Sequence, residues 1–254
     1  MLILALESSA KPASVAICRD GELLCQYFHN SGLTHSRTLM KMTEDLLGNL
    51  GIPISSIELI AVSSGPGSFT GVRIGVSAVK GLAWGLGLKV CGVSTLEAMT
   101  YQTPIYDAII CPVMNARRAQ VYNALFEWKD GAPVRLTDDR VISLKELADE
   151  LRSACSVHSA QPAHFAQPTR PASPASLPPR LTDPRTVYLV GDGAEMSYGF
   201  LSAEGIPCRL APELLRYQTA YGVALAAHYA VPISAIDLEP KYLRPSQAER
   251  ERLG

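Results

Sequence analysis

The sequence predicts an α/β protein made of two similar lobes. A run of strand, strand, Asp-Gly turn, strand and helix occurs first around Asp20-Gly21 and again around Asp130-Gly131. Continuous apolar runs such as Leu2 to Leu6 read as buried strands, and they alternate with segments whose apolar residues fall at helical spacing.

In the first half, Leu2 to Leu6, Ser14 to Cys18 and Glu22 to Phe28 are predicted strands. Asp20-Gly21 joins the last two, because such turns need positive φ, which glycine accepts. A helix follows, with Thr34 as N-cap, Leu39, Met42, Leu46 and Leu50 on one face, and Gly51 as stop. Next come a strand at Leu59 to Val62, a loop from Ser64 to Thr70 and a helix from Gly71 to Gly85. A strand at Lys89 to Gly92 leads to Ser94, which caps a helix through Met99. The second half predicts strands at Ala108 to Met114 and Gln120 to Trp128, the turn Lys129-Asp130-Gly131 and a third short strand. The capping box Ser143-Leu144-Lys145-Glu146 opens a helix to about Arg152. A strand at Val187 to Val190, a helix at Glu195 to Ser202, a strand near Cys208 and a helix from Thr219 to Ala230 close that unit. The expected division is an N-terminal lobe over 1–104 and a C-terminal lobe over 105–254. The Pro-, Ser- and Ala-rich stretch 156–185 reads as a disordered surface insertion.

With 47% apolar and 19% charged residues the chain has an ordinary globular balance. Its net charge of -1 lacks the positive footprint of a protein that grips nucleic acid alone, so if RNA is involved a partner is expected to supply much of the contact. Lys241, Arg244, Arg250 and Arg252 alternate with Glu239, Glu249 and Glu251 and read as a solvated tail. The start MLILALESS has no signal-peptide form, and Gly71 to Val93 carries Arg73, Lys80 and Lys89, which argues against a membrane span. Six scattered cysteines without a CxxC read as reduced thiols in a cytosolic protein.

Catalytic and metal residues are not found. No HxxxH, HExxH or G-x-S-x-G exists, and the histidines are isolated. The loop Gly65-Pro66-Gly67-Ser68-Phe69-Thr70-Gly71 can present backbone N–H groups to an anion, but it matches neither a Walker A loop nor G-x-G-x-x-G. A tight loop setting the helix entry is the other reading. Glu7, Ser8, Gly65, Gly67 and Asp192 are the candidate phosphate or nucleotide contacts. Small residues Gly71, Gly75 and Ala78 line one helix face with Ile74 and Leu82. Together with Leu39, Met42 and Leu46 they form the candidate partner interface.

The strings LALESS, GPGSFTGVRIGVSAVKGLAWGLGLKVCGVSTLEA, NARRAQVY, GDGA and EPKYLRPSQAE resemble the TsaB (YeaZ) family. The resemblance covers nearly the whole chain outside the Pro-rich stretch. It implies an actin/Hsp70-like (ASKHA) fold with two RNase H-like lobes, each a mixed sheet with flanking helices. It also implies a cytoplasmic, non-catalytic scaffold subunit in tRNA threonylcarbamoyladenosine (t6A) synthesis, binding and activating the catalytic paralogue TsaD, with the ATPase TsaE joining. The same face would form a homodimer when the partner is absent. No cofactor of its own is implied; ATP, Mg and a metal are expected on partner subunits, and tRNA is met only within the complex. The two histidine positions of the paralogue's N-H-x-x-x-H motif fall on Thr95 and Met99, which cannot replace imidazoles. Glu7-Ser8 stands where the family has Asp-Thr, and Asn115-Ala116-Arg117 where it has Asp-Ala-Arg. The alternative function is a phosphotransferase of the same fold, or a metallopeptidase, acting alone. A kinase would need a hairpin that admits phosphate, and Glu7-Ser8-Ser9-Ala10-Lys11-Pro12 contains no glycine.

Overall fold

A computed structural model describes residues 1–157 and 186–244. The expected insertion therefore lies outside the described residues, apart from its first two positions.

The first sheet contains β1 (Leu2–Glu7), β2 (Ala13–Arg19), β3 (Glu22–His29), β4 (Leu59–Gly65) and β5 (Val90–Ser94), in the order β3-β2-β1-β4-β5. The hairpins β1–β2 and β2–β3 are antiparallel, whereas β4 runs parallel to β1 and β5 parallel to β4. Asp20 and Gly21 both take positive φ in the β2–β3 turn, as do Asp130 and Gly131 in the second lobe. Helices α1 (His35–Leu50) and α2 (Phe69–Leu86) cover one face. Leu39 and Leu46 are buried between α1 and the sheet, and full burial of each leucine stabilises by roughly 1.5–3 kcal/mol. Gly51 ends α1 in the left-handed conformation, as predicted. Thr34 occupies the N-cap position, but its side chain makes no capping bond.

After α3 (Thr95–Tyr101), the second sheet contains β6 (Ile109–Asn115), β7 (Gln120–Asn123), β8 (Phe126–Lys129), β9 (Ala132–Arg135), β10 (Arg140–Ser143), β11 (Val187–Val190) and β12 (Cys208–Leu210). Its path is β10-β7-β6-β11-β12, the same order as the first sheet, with the β8–β9 hairpin paired to the start of β6. Helices α4 (Leu144–Val157) and α5 (Ala194–Ala203) pack on it, and α6 (Glu213–Arg216) and α7 (Ala220–His228) complete the helices described.

Several expectations need correction. The single strand predicted over Gln120 to Trp128 is two strands. β7 pairs with the end of β6 and β8 with its start, the switch falling opposite Cys111 and Pro112. Proline has no N–H for the ladder, and the buried Asn123 amide donates to the Pro112 and Ala124 carbonyls across the break. β10 was not foreseen; its four residues run directly into the capping box. That box forms as predicted: Glu146 N–H donates to Ser143 Oγ at 3.1 Å, and Ser143 N–H to Glu146 Oε2 at 2.9 Å. α4 continues to Val157, beyond Arg152 and into the first two residues of the expected insertion. The largest difference concerns α7, expected to belong with 105–254. It packs on the opposite face of the first sheet from α1 and α2, burying Ala220, Val223, Ala224 and Ala227 against Ile3, Ala5, Ala16 and Ala61. Small alanines let this helix approach the sheet closely.

Candidate functional site

The carboxyl ends of β1 and β4 open toward a cleft between the lobes, the position at which open α/β sheets bind ligands. The β1–β2 hairpin supplies Ser9 and Lys11, the α2 entry supplies Gly67 and Ser68, and the second lobe supplies Asn115, Arg117 and Asp192 around a cavity of about 580 Å³. Arg117, Arg118 and Ala119 take positive φ in succession in the β6–β7 turn. Such strain in non-glycine residues occurs where surrounding structure imposes it.

A segment after α7, the strap, runs back to this cleft and lines it with Lys241 to Arg244. Ile233 bridges to Val90 at the β5 edge, Lys80 Nζ donates to the carbonyls of Ile236 and Leu238 at 3.0 Å, and Leu238 is buried in the first core. Lys241 N–H then donates to Ser64 O at 2.6 Å. Tyr242 stacks on Phe69 with centroids 4.7 Å apart, and Arg244 Nη1 donates to Ala116 O of the second lobe at 2.8 Å. The tail is thus tied to both lobes as far as Arg244, while Glu239, Lys241, Tyr242 and Leu243 stay exposed; Arg250 and Arg252 lie outside the described residues. Lys11, Arg117, Lys241 and Arg244 all line the cleft, and none was among the expected site residues. The strings NARRAQVY and EPKYLRPSQAE held three of them, but spacing gave no sign that they converge.

Of the five candidate phosphate contacts, Gly67 and Asp192 line the cleft and Glu7, Ser8 and Gly65 do not. A Cβ on Gly65 would collide with the Lys241 carbonyl, and one on Gly67 with the Ser9 carbonyl, to which Ser68 N–H donates at 2.6 Å. The loop glycines therefore admit the strap and the hairpin. Ser8 Oγ is spent on the Gly71 carbonyl at 2.9 Å. Glu7 is 1% exposed; its Oε1 accepts from Ser9 N–H at 2.6 Å, while Oε2 has no partner. Burial pushes its carboxyl above the usual range, against the Ser9 bond and the nearby Ser63 and His35. Asp192 is raised by burial too, against a bond from Gln218 Nε2 at 3.0 Å. Glu7 is buried out of reach of the cleft, so of these two carboxyls only Asp192, exposed at the cleft wall, could face a ligand, a poor fit for a Mg²⁺-bound nucleotide. Among the described residues no three His, Cys, Asp or Glu side chains gather as a metal site. Thr95 and Met99 are buried in the interior, and Thr95 Oγ1 has no partner.

The candidate interface divides in two. Leu39, Leu46, Gly71 and Gly75 are core: a Cβ on Gly71 would collide with the Ser8 carbonyl, and one on Gly75 would lie 2.5 Å from Ser8 Oγ. The small-residue stripe thus serves packing of α2 on the hairpin. Met42, Ile74, Ala78 and Leu82 are half-buried against the same core. The outer face is presented instead by Met40, 41% exposed, by Ser77 and Gly81, and by Trp84, 78% exposed. Between α1 and α2 this face carries a groove of about 500 Å³. The same 3.6-residue period that marks a buried stripe also marks its opposite, and Trp84 stood outside the apolar stripe chosen from the sequence.

Two lobes with one sheet order, facing each other across a cleft at the strand ends, define a two-lobed α/β protein of the actin/Hsp70-like class. A model of the family described as TsaD, tRNA N6-adenosine threonylcarbamoyltransferase, matches residues 29–227. The TsaB of Bacillus subtilis, named a tRNA threonylcarbamoyladenosine biosynthesis protein, is 33% identical over 152 residues, 60% of this chain and 66% of that one. The Escherichia coli TsaB is 34% identical over 129 residues, 50% of this chain and 55% of that one. A Pseudomonas aeruginosa structure described as similar to peptidase YeaZ superposes with a TM-score of 0.68 at 25% identity, covering 96% of this chain and 99% of that one. The chain belongs to the TsaB (YeaZ) family. Its matches span from just over half to two thirds of the length of those curated relatives. No helix among the described residues is long and apolar enough to cross a membrane.

Proposed function

We propose that this chain is a non-catalytic, cytoplasmic scaffold subunit in t6A synthesis at adenosine 37 of tRNA, docking and activating a TsaD-type catalytic subunit through the outer face of α1 and α2. The observation that carries this reading is that face itself: Met40 stands exposed at a groove between the two helices, and Trp84 is 78% exposed further along α2. Exposed aromatic and Met side chains are enriched at interfaces. The non-catalytic part is supported by Thr95 and Met99, both buried where the paralogue's histidines align. ATP, Mg and a metal belong to the partners in this reading, TsaE joins through the complex, tRNA is contacted within it, and the chain alone pairs with itself through the same face.

Reconstitution tests it. Modification of tRNA by TsaD and TsaE should depend on adding this chain, and Trp84→Glu should abolish both co-purification with TsaD and the stimulation while leaving the circular dichroism spectrum intact. Full modification without the chain, or undiminished pairing by Trp84→Glu, rejects the role or the face respectively.

A further inference from the structure

The groove and the inter-lobe cleft share a wall: Phe69 and Thr70 line both. Arg73 stands in the groove and Tyr242 in the cleft, and the two are joined, Arg73 Nε donating to Tyr242 Oη at 2.8 Å. The guanidinium also lies 3.9 Å from the centre of the Phe69 ring, on which Tyr242 stacks. Two rings and one hydrogen bond therefore hold an exposed cation flat at the mouth of the groove. Nε is the guanidinium nitrogen with a described bond, which leaves Nη1 and Nη2 for another acceptor. No Asp or Glu lines the groove; its other walls include the apolar Met40, Ile74 and Ala78 and the imidazole of His35, whose Nδ1 has no partner.

We propose that Arg73 selects the docked partner by taking a carboxylate flanked by apolar side chains, and that its hold on Tyr242 transmits docking to the strap across the inter-lobe cleft. This rests on the reading of the α1–α2 face as a docking surface. A guanidinium already immobilised loses little freedom when it binds, so a carboxylate gains more there than at a loose lysine. A bound carboxylate in turn fixes Arg73 against Tyr242. Because the strap is tied to Ser64 on one lobe and Ala116 on the other, fixing Tyr242 restrains both sides of the cleft mouth.

The test titrates the TsaD-type subunit of the same organism against the full-length wild type, Arg73→Gln, Arg73→Lys and Tyr242→Leu, at low and high salt. Amide hydrogen exchange is followed over residues 239–244 and 115–119. The expected results are a Kd raised roughly tenfold or more by Arg73→Gln with a weaker salt dependence, and partial recovery by Arg73→Lys. Docking should slow exchange in both segments of the wild type, and the response at 115–119 should be lost in Tyr242→Leu. Arg73→Gln is at an exposed site, and a melting curve matching wild type shows that it remains folded. Binding of Arg73→Gln with wild-type affinity, or docking that leaves exchange in both segments unchanged, overturns the proposal and leaves the docking reading standing. A wild type that pairs only with itself and never with the TsaD-type subunit overturns both.

Discussion

Glu7 shows what burial does to one side chain. It ends β1 beneath the hairpin, with one carboxyl oxygen bonded and the other without a partner. A carboxyl whose pKa is raised on folding contributes stability that is complete at low pH and is lost as pH rises through the folded value. Glu7→Gln mimics the protonated form. It is expected to raise the melting temperature at pH 8 by roughly 2–4 °C, the shift produced by about 1 kcal/mol in a chain of this size. The gain should vanish around pH 4, where the wild-type carboxyl is itself protonated. Thermal melts across that range check it; a variant less stable than wild type at pH 8 contradicts it. The sequence marks Glu7 as a strand-end acid, but whether such an acid faces a cleft or lies beneath it depends on the hairpin and the α2 entry folding over it.

Helix α2 separates two uses of glycine. Gly71 faces the Ser8 backbone, which cannot yield, so Gly71→Ala is expected to destabilise by about 1–3 kcal/mol through overpacking. Gly81 has nothing within 4 Å of a built Cβ, so Gly81→Ala should stabilise by up to about 1 kcal/mol through helix propensity. Urea denaturation of the pair reads both signs, and equal shifts would mean that the packing assigned to Gly71 is wrong. On α4, Ser143→Ala removes an N-cap whose hydroxyl and backbone both bond Glu146, which should cost about 1 kcal/mol in the same assay. Elements of this kind were legible: caps, Asp-Gly turns and helical spacing are local chemistry. The apolar stripe identifies mainly the side covered by the hairpin and sheet of the same lobe; Leu39, Ile74 and Ala78 from it also line the groove beside Met40, whereas Trp84 stood outside it.

For the whole molecule, the doubled sheet order was foreshadowed by the repeated turn and strand pattern, but the attachment between lobes was not. Arg135 of β9 pairs with Glu97 of α3 at 2.8 Å and with Asp139 at 2.6 Å, while Ser94 Oγ donates to Asp139 at 2.5 Å. α7 and the strap return to the first sheet from the far end of the chain. The α7 and strap contacts join residues more than a hundred positions apart and leave no local signature. Residues 1–104 alone would leave one face of the first sheet bare and remove Leu238 from its core. That fragment is expected to show no cooperative unfolding transition, whereas residues 1–244 should show one; a sharp transition in the fragment would mean that α7 is dispensable. Leu238→Ala in the full chain should cost about 2–5 kcal/mol, read from chemical denaturation.

The return of α7 also has a temporal side. Ribosomes add roughly 5–20 residues per second, so roughly 6 to 23 seconds separate the emergence of residue 104 from that of residue 220. During that interval the alanine-lined face of β1, β2 and β4 has no cover of its own. The first half of this chain therefore emerges with an apolar sheet face that only its own last helix covers.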